Sequence, residues 1–200
     1  LRGRRIAYEP ASLGAYLLAR TLELAGLAKD DVVAIGMDQP HMVAALRDGE
    51  IDAAISYAPY TQEMQREGAT ALLTSSRLPG EVVDTISIER SLLDADPTLL
   101  PRFTKALVAT HDYMRRHPEG ARPILAEVTG LSGESWEEAA RGVRVYGPDE
   151  QRQWIWGSRR LEELAQRLLP IVLPDAVSTP PQLTASHREV PPALRNGGER

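Results

Sequence analysis

Apolar residues first gather in a short run, Ile6-Ala7-Tyr8, which stops at Glu9-Pro10. After Ala11-Ser12 the period changes. Leu13, Leu17, Leu18, Leu22 and Leu24 recur at helical spacing, and Gly26 suits a helix stop. Asp30-Asp31 precede a second apolar run, Val32 to Met37. Pro40 stands where the first turn of a helix tolerates proline; Met42, Val43, Ala45 and Leu46 give that helix an apolar face, and Gly49 ends it. Ile51 to Tyr57 is apolar almost throughout, as a strand covered on both faces is. A helix from about Tyr60 to Arg66 follows, closed by Gly68. Ala69 to Thr74 and the β-branched Val82 to Ile88 read as a fourth and a fifth strand, with the Pro79-Gly80 turn between them. Residues 1–88 thus read β-α-β-α-β-α-β-β, which implies a mostly parallel sheet with helices on its faces.

Beyond Arg90 the pattern is helical nearly as far as Pro170. One helix spans Leu99 to Arg116 and is stopped by Pro118; a second runs from about Glu119 to Val128, interrupted near Pro123. Ser135, with Glu138 three residues later, resembles a helix start. The last helix extends from about Pro148 to Leu169, amphipathic through Trp154, Ile155, Leu161, Leu164 and Leu168. No strand in the chain pairs with these helices, so their apolar faces call for a partner. After Leu173 come five prolines, polar residues and no periodicity, and the tail 174–200 is expected to be disordered.

Composition narrows the function classes. The 200 residues are 42% hydrophobic and 26% charged, with a formal net charge of -5, so no nucleic-acid footprint stands out. No apolar run is long enough to span a membrane. Cysteine is absent, which excludes disulfides and thiolate metal sites. The two glycine-rich phosphate-binding patterns and the G-x-S-x-G elbow are absent. His41, His111, His117 and His187 lie far apart, with no metal-binding pair. No cofactor is implied. Leu1 stands first, almost directly before a strand, and the chain reads as a piece of a longer protein.

Ligands of an open parallel sheet bind beyond the carboxyl ends of its strands. That rule selects three loops, Glu9 to Gly14, Met37 to Met42 and Tyr57 to Gln62. In the first, Ser12 is an N-cap candidate, and the amides of Leu13 to Ala15 lack intrahelical partners and can face an anion. Gly14 permits close approach. Ser12 capping only its own helix is the plainer alternative. The second loop brings Asp38, Gln39 and His41, and Asp38 also suits a cap. The third brings Tyr57 and Tyr60 around Pro59, where packing competes with ligand contact. Glu9 and Asp38 favour an amine or aminopyrimidine, whereas the helix N-terminus favours an anion.

An ordered set of segments carries a resemblance. Gly3-Arg4-Arg5-Ile6, Ser12, Ala44-Ala45-Leu46, Gly49-Glu50-Ile51-Asp52-Ala53 and Tyr57-Ala58-Pro59-Tyr60 resemble the substrate-binding proteins of ABC transporters of the nitrate/sulfonate/taurine and thiamine-precursor type. The similarity covers about residues 1–130 and extends more weakly to 170. Two positions depart from the family's pattern: Ala58 replaces a glutamate before the proline, and Ala11 replaces a glycine before the serine.

The resemblance implies an α/β fold, a periplasmic-binding-protein-like lobe followed by an all-helical segment. Residues 1–88 would form lobe two with the return crossover strand, and residues 89–173 would pack on a lobe one whose first strands precede this chain. It further implies a non-enzymatic, extracytoplasmic or periplasmic solute-binding component, exported by a signal in the preceding segment. The partners would be a small solute, an ABC permease and its ATPase, with the membrane reached only through the permease. The expected ligand is a small organic anion such as a sulfonate, contacted by Ser12, Leu13, Gly14, Glu9, Asp38, Gln39, Tyr57 and Tyr60. An enzyme on the same fold and a sensing module of a regulator are the competing readings; His41 is the one histidine in a candidate loop.

Overall fold

The strand β1, Arg5–Tyr8, lies in the middle of a parallel sheet of order β2-β1-β3, with β2 at Val33–Gly36 and β3 at Ala53–Ala54. The computed structural model describes residues 1–154 and 160–174. Two compact units appear among them: residues 1–83 with 164–174, and residues 84–154 with 160–163.

The first unit follows from side-chain alternation along β1. Successive residues of a strand point to opposite faces. Ile6 aligns with Ala34 and Ala53, and Ala7 with Ile35 and Ala54. Ile6, Ala34 and Ala53 pack with Leu18 and Leu22 of helix α1, Leu13–Leu24. Ala7, Ile35 and Ala54 pack instead with Met42 and Ala45 of α2, Gln39–Arg47, and Met64 of α3, Tyr60–Arg66. Each register row therefore feeds one of two apolar clusters, and the sheet is covered on both faces as its apolar strands require. This is the expected α/β lobe.

Arg5 and Asp52 lock the amino ends of β1 and β3. Asp52 accepts from the backbone N–H of Arg5 at 2.8 Å, from its Nε at 3.1 Å and from Nη2 at 3.0 Å. The Asp52 N–H returns a bond to the Arg5 carbonyl at 2.8 Å. A second ionic group ties α1 to later chain. Glu81 accepts from Tyr16 Oη at 2.8 Å and from Arg20 Nε at 2.6 Å. The hydrogen bonds from Arg20 hold the Glu81 carboxyl below its usual range, against the opposing effect of burial.

Several expectations are corrected. The run Ile51 to Tyr57 pairs only at Ala53–Ala54. Ala69 to Thr74 and Val82 to Ile88 form no strand, and the described residues hold a three-stranded sheet. Apolar and β-branched composition makes a strand only where a neighbour completes the hydrogen-bond ladder. Neither segment has such a neighbour here, so the return crossover strand is absent. The unit that holds the sheet spans residues 1–83 with 164–174.

The second unit consists of α4 Arg90–Ala95, which the sequence reading omitted, α5 Leu99–Arg116, α6 Pro118–Thr129, α7 Gly133–Ala140 and α8 Pro148–Arg152. Consecutive helices α4 to α7 pack in sequence order. Pro118 opens α6 as much as it closes α5, and α6 runs through Pro123 without a break. The cap of α7 is Ser132, which accepts from the Ser135 N–H at 3.1 Å; Ser135 lies inside the first turn. Phe103, Tyr113, Ile124 and Val128 are exposed on these helices. The last helix, α9, covers Arg160–Val172; residues 155–159 and the tail from 175 lie outside the described residues, including the expected disordered tail.

The Asp52 interaction predicts an acid response. Its hydrogen bonds from Arg5 hold its pKa at about 2, below the ordinary 3.8. A depressed carboxylate contributes stability above its ordinary pKa, and that contribution fades as pH falls through the folded value. Asp52→Asn should therefore lower the melting temperature at neutral pH and flatten the loss of stability between pH about 4 and about 2. Melting curves across that range check both effects.

Candidate functional site

In a sheet of order β2-β1-β3 the connections leave β1 toward one side and return to the other. The crevice where they diverge lies at the carboxyl ends of β1 and β3, the position where doubly wound sheets hold ligands. Two loops line it: Glu9 to Ser12 after β1, and Ile55 to Pro59 after β3. The structure closes that crevice with one side-chain bond, Tyr57 Oη donating to Glu9 Oε2 at 3.2 Å. Tyr57 is 48% exposed, so the pair stands at the mouth rather than in the core. Its hydroxyl pKa is raised, first by partial burial, then by the charge and hydrogen bond of Glu9 and by nearby Tyr60. The phenol therefore stays protonated and keeps its O–H as a donor.

The β1–α1 turn is built tightly around Glu9. Ser12 Oγ donates to the Glu9 carbonyl at 2.7 Å and accepts from the Gly14 N–H at 3.0 Å. The serine thus caps α1 in the expected manner, and the capping alternative describes what its hydroxyl does here. The N–H of Leu13, in the first turn, has no intrahelical acceptor by position. Gly14 is needed for the turn itself: a Cβ there would lie 2.9 Å from Glu9 N and 3.0 Å from Glu9 O. Ala11 adopts φ 51°, a left-handed conformation that L side chains resist. That conformation explains why glycine suits the position. Pro10 presses over the end of β2, where a Cβ on Gly36 would lie 2.8 Å from its ring.

The second loop takes a different part. Gln39 is 2% exposed; its Nε2 donates to the Ile55 carbonyl at 3.2 Å, and its Oε1 accepts from Ser56 Oγ at 2.9 Å. It buttresses the β3–α3 loop from behind. Asp38 holds the N-cap position of α2 without capping it and pairs instead with His41 Nδ1. The His41 hydrogen bond lowers the Asp38 pKa. Both side chains are largely exposed.

The structure therefore brings together Glu9, Ser12, Gly14 and Tyr57, with Leu13 at the helix start and Tyr60 opening α3. Gln39 supports them, and Asp38 is engaged elsewhere. Sequence reasoning missed Ser56, which fell inside the expected strand Ile51 to Tyr57, and Gly36, whose small size is explained only by Pro10. Among the described residues no group of carboxylates and histidines is arranged to hold a metal, and no helix is long and apolar enough to cross a membrane.

A doubly wound lobe with loops converging at its switch point is the α/β architecture in which open sheets offer a ligand position. The chain belongs to the NMT1-like family, whose model matches residues 2–130. The taurine-binding periplasmic protein of Escherichia coli (strain K12) is 24% identical over 168 residues, covering 78% of this chain and 52% of that protein. The chain spans about half the length of the curated relatives it matches. Solved structures that share its fold include two sulfonate-binding proteins. The periplasmic aliphatic sulphonate binding protein SsuA from Escherichia coli superposes with a TM-score of 0.61 at 20% identity, covering 86% of this chain and 64% of that one. The alkanesulfonate-binding protein SsuA from Xanthomonas axonopodis pv. citri, bound to MOPS, does so at 0.56 and 23% identity, covering 72% and 50%.

Two substitutions test the turn. Gly14→Ala should destabilise the protein by about 1–3 kcal/mol, because the added methyl meets backbone that cannot yield cheaply. Ala11→Gly should have the opposite sign. It relieves about 1–2 kcal/mol of left-handed strain and restores about 0.5–1 kcal/mol of backbone entropy to the unfolded chain. The net gain is between about 0 and about 1.5 kcal/mol. Urea unfolding of both variants measures the difference.

Proposed function

We propose that this chain is the ligand-holding part of a non-enzymatic, extracytoplasmic solute-binding protein that serves an ABC permease and its ATPase. Its ligand is a small organic sulfonate or a closely related solute. The observation that carries this reading is the Glu9–Tyr57 pair set beside the capped N-terminus of α1, at the switch point of a sheet of the periplasmic-binding type. The relatives named above are binding proteins, which supports a binding rather than a catalytic role.

The geometry divides the ligand into two ends. The Leu13 N–H at the start of α1 and the helix dipole suit the sulfonate oxygens, the Gly14 and Ala15 amides being given to Ser12. Glu9 suits a donor, and no lysine or arginine occurs in Glu9–Gly14, Met37–Met42 or Ser56–Thr61 to neutralise it. A solute with an ammonium at one end and a sulfonate at the other satisfies both. In this reading Ser12, Leu13 and Gly14 frame the anionic end. Glu9 and Tyr57 take the cationic end, Tyr60 lines the wall, Gln39 holds the loop in place, and Asp38 lies at the periphery.

Calorimetry with taurine and with ethanesulfonate tests the division. Taurine near 100 times its Kd should also add about 2.7 kcal/mol to stability. Glu9→Gln should weaken taurine by about 1.5–3 kcal/mol, the worth of a hydrogen bond to a charged group, and leave ethanesulfonate nearly unchanged. Equal loss for both ligands would remove Glu9 from the site, and binding of neither ligand by the unaltered protein would overturn the sulfonate reading.

A further inference from the structure

Glu9 and Tyr57 reach toward each other from the two loops that wall the crevice, and Tyr57 Oη donates to Glu9 Oε2 at 3.2 Å. Both are fixed at the backbone. The Glu9 carbonyl accepts from Ser12 Oγ at 2.7 Å, and the Tyr57 carbonyl accepts from the Thr61 N–H at 3.1 Å. The two residues before Tyr57 are held by Gln39, through the Ile55 carbonyl and Ser56 Oγ. The side chains are the movable part. Tyr57 is exposed and Glu9 half-buried, so rotation about side-chain bonds opens the pair without moving either loop.

Tyr57 meets Glu9 from across the crevice, which is also the side from which a solute lying between the loops would meet it. The phenol therefore stands where a donor group of that solute would stand. We infer that the Tyr57 hydroxyl is an internal competitor for the Glu9 carboxylate, a specificity element that a solute's charged donor displaces and a neutral donor does not. This inference rests on the proposed sulfonate reading and deepens it.

The chemistry of the exchange sets the outcome. A phenol gives the ionised carboxylate one neutral donor. An alcohol on a solute offers the same kind of bond, so exchanging one for the other gains nothing. An ammonium adds opposite charge to the hydrogen bond, and such bonds are the stronger ones. A solute that must open the pair binds more weakly, by the fraction of molecules in which the pair is open. A solute with no donor leaves the pair closed and is indifferent to it.

Three probes that differ at one end test this: taurine with an ammonium, 2-hydroxyethanesulfonate with a hydroxyl, and ethanesulfonate with a methyl group. Calorimetry on the parent should find the last two bound equally. In Y57F, taurine should bind about threefold to tenfold more tightly, the worth of one ordinary hydrogen bond. There 2-hydroxyethanesulfonate should also overtake ethanesulfonate, which itself should not change. A hydroxyl that touched the solute directly would give the opposite sign. Taurine bound by both proteins with no gain in Y57F overturns the competitor and leaves the sulfonate reading standing. If neither protein binds any probe, the sulfonate reading falls and the competitor with it. Binding of taurine by Y57F alone supports a pair that is closed in nearly every molecule. Urea unfolding of Y57F, E9A and the double variant checks the contact without ligand, and additive effects overturn it. If Y57F does not fold, Tyr57→Leu decides: the ratio of taurine to ethanesulfonate affinity should rise, and a fall overturns the inference.

Discussion

Two neighbouring side chains on β1, Ile6 and Ala7, govern the arrangement of the first unit. They point to opposite faces because a strand alternates, and β1 is central, so both faces must be covered. Ile6 recruits Leu18 and Leu22 of α1, and Ala7 recruits Met42 and Ala45 of α2 with Met64 of α3. Fully burying a side chain of Ile or Leu size is worth about 1.5–3 kcal/mol, so each face is held by several such terms. Once α1 covers one face and α2 the other, the connections diverge at β1. The crevice with Glu9 and Tyr57 is a geometric consequence of that divergence.

The turn that forms the crevice is already heavily used by folding. Ser12 bonds to Glu9 and Gly14, Gly14 makes room for Glu9, Ala11 takes a left-handed conformation, and Pro10 rests on Gly36. These interactions fix the Glu9 backbone from several sides. A site held by such a turn is preorganised, and little ordering remains to be done when a ligand arrives. In the proposed reading, folding and binding draw on the same residues, and a substitution at Ser12 affects both. Glu9 and Tyr57 differ from the rest of the turn, because their bond lies at the surface, where in the proposed reading a ligand takes it over.

Much of the first unit was legible in the sequence because it depends on local period. The change from Ile6-Ala7-Tyr8 to the leucines of α1 marks a strand followed by a helix, and the same change recurs at Ile35 and Met42. The strands expected at Ala69 to Thr74 and Val82 to Ile88 were not recoverable, because a strand depends on a neighbour that composition does not reveal. The site was legible as three loops on one sheet edge, and their unequal roles were not. Gln39 looked like a ligand contact because it lies in a loop that follows a strand; only the positions of Ile55 and Ser56 show that its hydrogen bonds are satisfied internally. Glu81 was overlooked for the opposite reason. A glutamate after Pro79-Gly80 reads as a solvated turn residue, and its partners on α1 are far away in sequence.

The charge pattern around the crevice bears on how selectivity would arise in the proposed reading. The negative charge of Glu9 lies close to the start of α1, where the helix dipole is positive. An anion approaching α1 is attracted by the helix and repelled by Glu9, so a simple anion gains little unless the carboxylate is offset. Tyr57 offsets it only in part, since a phenol donates a hydrogen bond but carries no positive charge. A ligand that brings its own cation removes the repulsion and keeps the attraction. Discrimination of this kind follows from an unfavourable element placed against the wrong ligand as much as from contacts to the right one. In the proposed reading, the absence of lysine and arginine from the three loops is part of that selectivity, because a basic side chain beside Glu9 would neutralise it and admit anions without an amine.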